Sequence, residues 1–110
     1  MSLCFEELRA ANDSRARHPR FDDASGNWSL AEWTNAMCGE AGEAANIAKK
    51  IRRGDKQHPP EFYREGLAKE LADVVIYADL VARAMGVRLE EAVRSKFNEV
   101  SERWNVPDRL

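Results

Sequence analysis

Apolar residues recur at helical spacing along most of the chain, and no segment alternates with period two well enough to make a strand. The first stretch, roughly Leu3 to Ala16, carries Leu3, Leu8 and Ala11 with Phe5 beside them and predicts a short helix. His18 to Asn27 is rich in Pro, Gly, Asp and Asn and predicts a loop. Ser29-Leu30-Ala31-Glu32 then fits a capping box, with Trp28 and Trp33 placed for the accompanying hydrophobic staple. From Leu30 a stripe of Leu30, Trp33, Met37, Ala41, Ala44, Ile47, Ala48 and Ile51 continues for about six turns. Lys49, Lys50, Arg52 and Arg53 crowd its end, where cations suit the helix dipole, and Gly54 is a natural stop.

After a linker at Asp55 to Pro60, a third helix is expected from about Glu61 to Met85, closed by Gly86. Its stretch Leu71 to Tyr77 is apolar almost all round apart from Asp73, the pattern of a helix covered on more than one side. In so short a chain that implies a second subunit. A fourth helix is expected from Leu89 to Trp104, with Arg88 a poor N-cap residue and Asn105-Val106-Pro107 ending it. The fold class is all-α: a four-helix bundle with antiparallel neighbours, completed by oligomerisation.

Four acids break the apolar pattern. Glu40 and Glu43 lie three apart on the second helix, and Glu70 and Asp73 three apart on the third, so each pair shares a helix face. Glu40 falls on the apolar stripe itself. Withdrawing an ionised carboxylate from water costs several kcal/mol unless it is paired or bound to metal. A divalent cation offsets both that cost and the mutual repulsion, and an all-oxygen donor set selects Mg²⁺, with Mn²⁺ as a substitute. An internal network with Arg or Lys is the competing explanation. Gly39 and Gly42 interrupt the second helix at about 1 kcal/mol each relative to Ala, which suits close approach of another surface or room for a ligand.

Composition narrows the classes. The 110 residues amount to one domain, 1–110. A net charge of −2 offers no general attraction to nucleic acid polymers or anionic membranes. No apolar run is long enough to span a bilayer, and the N-terminus lacks a signal-peptide layout, so a cytoplasmic protein is expected. Cys4 and Cys38 have no metal-ligand spacing and read as free thiols. Ser, Cys and His show no arrangement that would supply a covalent nucleophile.

E-x-x-E followed by E-x-x-D resembles the metal motif of the all-α nucleoside triphosphate pyrophosphohydrolases, the superfamily of MazG, the dimeric dUTPases, the dCTP pyrophosphatases and the phosphoribosyl-ATP pyrophosphatases. The blocks Trp33 to Ala44, Glu70 to Tyr77 and Ala92 to Arg103 are similar to MazG-like proteins and occur in the family's order. The resemblance covers about Trp28 to Arg103 and departs from the family's pattern at Arg88. It implies hydrolysis of a nucleoside triphosphate between the α and β phosphates. Glu40, Glu43, Glu70 and Asp73 would hold Mg²⁺, Glu40 and Glu43 would act in catalysis, and Glu43 would take the proton of the attacking water. By position, Lys96, Asn98 and Arg103, with Lys50 as a further candidate, would contact the nucleotide, and Trp33 or Tyr77 would stack on the base. Family members are homodimers or homotetramers.

Three other readings compete. The substrate is phosphoribosyl-ATP on the same fold. The chain is a di-iron helix bundle, against which stands the lack of histidine in either acid-bearing helix. Or it is a non-catalytic helical interaction or regulatory dimer, in which the acids are solvated.

Overall fold

A computed structural model describes residues 2–21 and 28–110. Helices α1 (Phe5–Ala16), α2 (Leu30–Arg53), α3 (Pro60–Ala84) and α4 (Leu89–Arg103) dominate the chain, and no strand occurs among the described residues. The all-α expectation holds. No helix among the described residues is long and apolar enough to cross a membrane.

The helix ends follow local chemistry. Before α2, the Ser29 hydroxyl accepts from the Glu32 amide and the Glu32 carboxylate accepts from the Ser29 amide. Trp28 sits edge-on to Trp33 with ring centroids 4.7 Å apart, so box and staple are both formed. Ser29→Ala is expected to cost about 1 kcal/mol, read as a lower urea midpoint at unchanged slope.

The C-termini of α2, α3 and α4 share one arrangement. The amide of Asp55 reaches Lys50 O, that of Val87 reaches Ala82 O, and that of Val106 reaches Ser101 O. These are Schellman closures that require a left-handed residue, supplied by Gly54 (φ 76°), Gly86 (φ 66°) and Asn105 (φ 55°). Asparagine serves at the third because its short polar side chain tolerates that region.

Several limits differ from the sequence expectation, α3 and α4 each ending one residue early, at Ala84 and Arg103. α1 starts at Phe5 rather than Leu3. α3 starts one residue early because Pro60 takes the first helical position, where a missing N–H is no loss. Residues 19–21, expected as loop, form a helical turn in which the Phe21 amide donates to His18 O. Residues 22–27 of that loop lie outside the described residues.

α2 and α3 form an antiparallel hairpin whose register is marked at three levels. Trp33 meets Tyr77 at 6.2 Å, Glu43 meets Glu70, and Ile47 lies over Gly66, where an added Cβ would stand 3.4 Å from Ile47 Cδ1. α1 crosses the C-terminal half of α3 through a polar clamp. Asp79, 1% exposed, accepts from Arg9 Nε at 3.0 Å and from the buried Asn12 Nδ2 at 2.9 Å. Arg9 also donates to Val87 O at 2.8 Å, and Arg83 pairs with Asp13.

The apolar core is small: Trp33, Ala44, Tyr63, Leu80 and Ala82 are its buried hydrophobic members. Leu71 and Val75, expected to be covered, are about half exposed within the single chain. The accessible surface is 8406 Å² for 12.5 kDa, whereas a compact monomer of that mass exposes about 6,200 Å². The radius of gyration is 16.8 Å, against about 13 Å for a compact chain of this length.

Candidate metal centre

The α2–α3 hairpin brings Glu40, Glu43 and Glu70 together. One carboxylate oxygen from each lies within 4.8 Å of the others. Glu40 and Glu70 are half-buried and Glu43 is exposed, so the cluster is open on one side. Glu70 Oε2 is hidden from solvent and has no hydrogen-bond partner. A hidden, unpaired carboxylate oxygen is costly as it stands, and a bound proton or cation would offset that cost.

The electrostatics agree. The Glu70 carboxyl is pushed up to about 7, first because in its neutral form it can share a proton with Glu40, then by burial and by Glu43. Folding therefore takes up a proton between the ordinary carboxylate value of 4.5 and about 7. Where the folded state binds more protons, stability falls as pH rises. The metal-free protein is expected to lose stability as pH rises through that window. Millimolar Mg²⁺ is expected to remove the decline, because a cation replaces the proton. Thermal melts from pH 5 to pH 8, with and without the metal, check both statements. A slope of the opposite sign would disprove the shift.

Of the other residues expected at the site, Asp73 is half-buried at the level of Glu40 in the hairpin register but does not join the three-carboxylate cluster. Trp33 is 8% exposed and lodged between Trp28 and Tyr77, so its surroundings make it a core ring rather than the open stacking platform expected. Trp28 and the half-buried Tyr77 are the more accessible rings. Lys50 lies half-buried at the end of α2. Asn98 was expected on the nucleotide; here its side chain is engaged at both ends by Leu110, accepting from the Leu110 amide at 2.8 Å. Lys96 and Arg103 both reach Glu99, at 3.2 and 3.8 Å, in exposed pairs of the kind worth little. These three residues stand on α4, whose substantial contacts in the chain are with α1, not with the acid-bearing helices.

Sequence reasoning missed Asp79, Arg9 and Asn12. Only Asp79's place in an otherwise apolar stretch hinted at a buried role, and its partners are some seventy residues away.

No family model matches the chain. Aligned over 94 residues, it is 33% identical to the Gene 37 protein of Mycobacterium phage L5, covering 86% of this chain and 82% of the relative. The chain belongs to the family of that phage protein. The relative's name states no activity.

Proposed function

We propose that this chain is a nucleoside triphosphate pyrophosphohydrolase that uses Mg²⁺, of the MazG-like kind its sequence resembles, working as a homodimer or homotetramer. The observation that carries the reading is the Glu40–Glu43–Glu70 cluster with its orphaned Glu70 oxygen. A donor set of carboxylate oxygens alone fits a hard divalent cation and disfavours zinc or copper. Glu40, Glu43 and Glu70 would hold the ion, with Asp73 close enough in the register to complete the set. When bound, such an ion offsets phosphate charge and makes water a better nucleophile.

The chain's own residues then divide the work. Glu43, the exposed member, is the carboxylate that incoming water can reach, and it takes the proton as the water oxygen bonds to the α-phosphorus. The bond from the α-phosphorus to the bridging oxygen breaks, and pyrophosphate leaves. Glu40 and Glu70, half-buried on facing helices, hold position. Trp28 or Tyr77 offers a ring for the base. Oligomerisation is supported by the surface that the single chain leaves open, about 2,200 Å² beyond a compact monomer of its mass. Exposed apolar Leu71, Val75 and Phe97 contribute to that excess.

A non-catalytic regulatory dimer is the second reading, favoured by Asp73 standing outside the cluster and by Asn98 being engaged with Leu110. One assay separates the two. Incubation with a panel of NTPs and dNTPs plus Mg²⁺ is expected to yield monophosphate and pyrophosphate in equal amounts. Orthophosphate in place of pyrophosphate would overturn α–β cleavage. No turnover of any member, phosphoribosyl-ATP included, would leave the regulatory dimer.

A further inference from the structure

We infer that the turn joining α2 to α3 is a binding surface for single-stranded nucleic acid, on which Arg52, Arg53, Lys56 and Arg64 hold the phosphate backbone and the stacked His58 and Phe62 rings take the bases. The inference goes beyond the hydrolase reading and does not rest on it. Arg53 stands ten residues beyond Glu43, about 15 Å along the axis of α2.

The charge of the chain is unevenly spread. From Lys49 to Arg64 six cations stand against two carboxylates, Asp55 and Glu61, while the rest of the chain has eleven cations against seventeen carboxylates. The net charge of −2 therefore hides a basic tip on an acidic body. The dipole of α2 favours cations in its last turn, but Lys56 lies in the turn itself and Arg64 near the start of α3, the end where a dipole disfavours them. Nor do ion pairs occupy these groups. Among the described residues Arg53 alone of the six makes one, bidentate with Asp55 at 2.8 and 2.9 Å. By contrast Arg88, Arg94, Lys96 and Arg103 each pair with an acid. The Asp55 carboxyl is held below its ordinary value, first by the hydrogen bond from Arg53 and then by the charges of Arg53, Lys50 and Lys49, so these cations converge on one place.

The same end carries exposed rings. His58 lies stacked on Phe62 with centroids 3.9 Å apart and planes at 22°, and Phe62 is 55% exposed. The buried Tyr63 stands edge-on to both, 5.7 Å from Phe62 and 6.0 Å from His58, and fixes their orientation. Tyr63 is also a wall of a groove of about 420 Å³ whose other sides include Ile51, Lys56, Pro60 and Arg64. Cations along a groove, beside an aromatic stack held in place, are the two parts of a single-strand surface: the charges follow the backbone, and every base offers a π-face. A duplex keeps its bases stacked inside. An anionic lipid surface would use the charges but has no planar group to match the rings.

Fluorescence anisotropy with a labelled single-stranded oligonucleotide of about twelve nucleotides tests the surface. The strand ends in a 5′ hydroxyl and the buffer contains EDTA, so neither a triphosphate nor a metal bridge to the three carboxylates contributes. Saturable binding is expected at low salt, with the logarithm of the affinity falling against that of salt at a slope of about −3 for about four phosphate contacts. Phe62→Ala with His58→Ala is expected to weaken binding by about 5- to 150-fold for each base that loses its ring, with the salt slope and the helical circular dichroism kept. Lys56→Ala with Arg64→Ala is expected to weaken binding and to flatten the slope by about 1.4. Arg88→Ala with Arg94→Ala removes the same charge near the start of α4 and is expected to change little. An equal loss there would mean unspecific attraction and overturn the inference. So would no binding at low salt, a duplex of the same length bound as tightly, or phosphatidylserine vesicles bound in preference to the strand. A chain that binds the strand but hydrolyses no triphosphate would refute the hydrolase reading alone, and one that hydrolyses triphosphates but binds no strand would refute this inference alone.

Discussion

Glu43→Gln is expected to raise the melting temperature of the metal-free protein while removing most of its response to Mg²⁺ and most of its turnover. An active-site substitution that stabilises is the signature of a site built against folding. At pH 8, above its raised value of about 7, Glu70 is ionised with an oxygen within 4.8 Å of one each on Glu40 and Glu43. Glutamine keeps the shape of Glu43, removes one of three like charges and gives Glu70 an amide donor. For the wild type, Mg²⁺ at about a hundred times its dissociation constant contributes about 2.7 kcal/mol. At roughly 4–8 °C per kcal/mol for a domain near this size, the melting temperature rises by on the order of 10 °C. The variant should show a small fraction of that rise, and its turnover should fall by about 10²–10⁴-fold if Glu43 is the general base. Scanning fluorimetry at pH 8 with a magnesium titration measures the first two quantities, and pyrophosphate release the third. A wild type indifferent to Mg²⁺, together with a destabilised variant, would mean that the acids are ordinary surface charges and the metal centre is misassigned.

The second large effect lies away from the acids. Asp79→Ala is expected to cost about 3–5 kcal/mol, the usual result of removing one partner from a buried ion pair. Asp79 is 1% exposed and Arg9 24%. Without Asp79, Arg9 keeps only Val87 O, and the buried Asn12 amide keeps a long 3.4 Å contact to Ile76 O. Replacing the pair together, Arg9→Met with Asp79→Leu, should recover much of the loss, because no half-satisfied charge is left inside. Urea unfolding of the three proteins tests this, and the double variant remains informative if the single one does not fold. The magnesium-induced shift of the double variant should match that of the wild type, since α1 clamps the C-terminal half of α3, away from the three clustered acids. A single variant within about 1 kcal/mol of wild type would show that α1 is held by apolar contacts instead.

Much of this fold was legible because it is written in local chemistry. Ser29 and Glu32 make the box, Trp28 and Trp33 the staple, and Gly54 and Gly86 the left-handed stops, all through contacts between residues a few positions apart. Such contacts follow from spacing alone. The helical turn at residues 19–21 was missed because a proline such as Pro19 can as readily open a helix as break one. The acids were legible for a related reason. Glu40 and Glu43 share a face by helix geometry, and so do Glu70 and Asp73.

By itself, then, the sequence determined the helices, their ends and the faces that carry the carboxylates, since each depends on chain neighbours within a turn or two. Only the tertiary structure decided which acids meet. The antiparallel register sets Glu43 at the level of Glu70, hides one Glu70 oxygen and leaves Asp73 outside the three-carboxylate cluster. It also decided that Trp33 is core, that Asp79 anchors α1, and that α4 stands away from the acids of its own chain. Each of these turns on the relative placement of helices tens of residues apart, where a shift of one residue rotates a side chain by about 100° around its helix and changes every partner it meets.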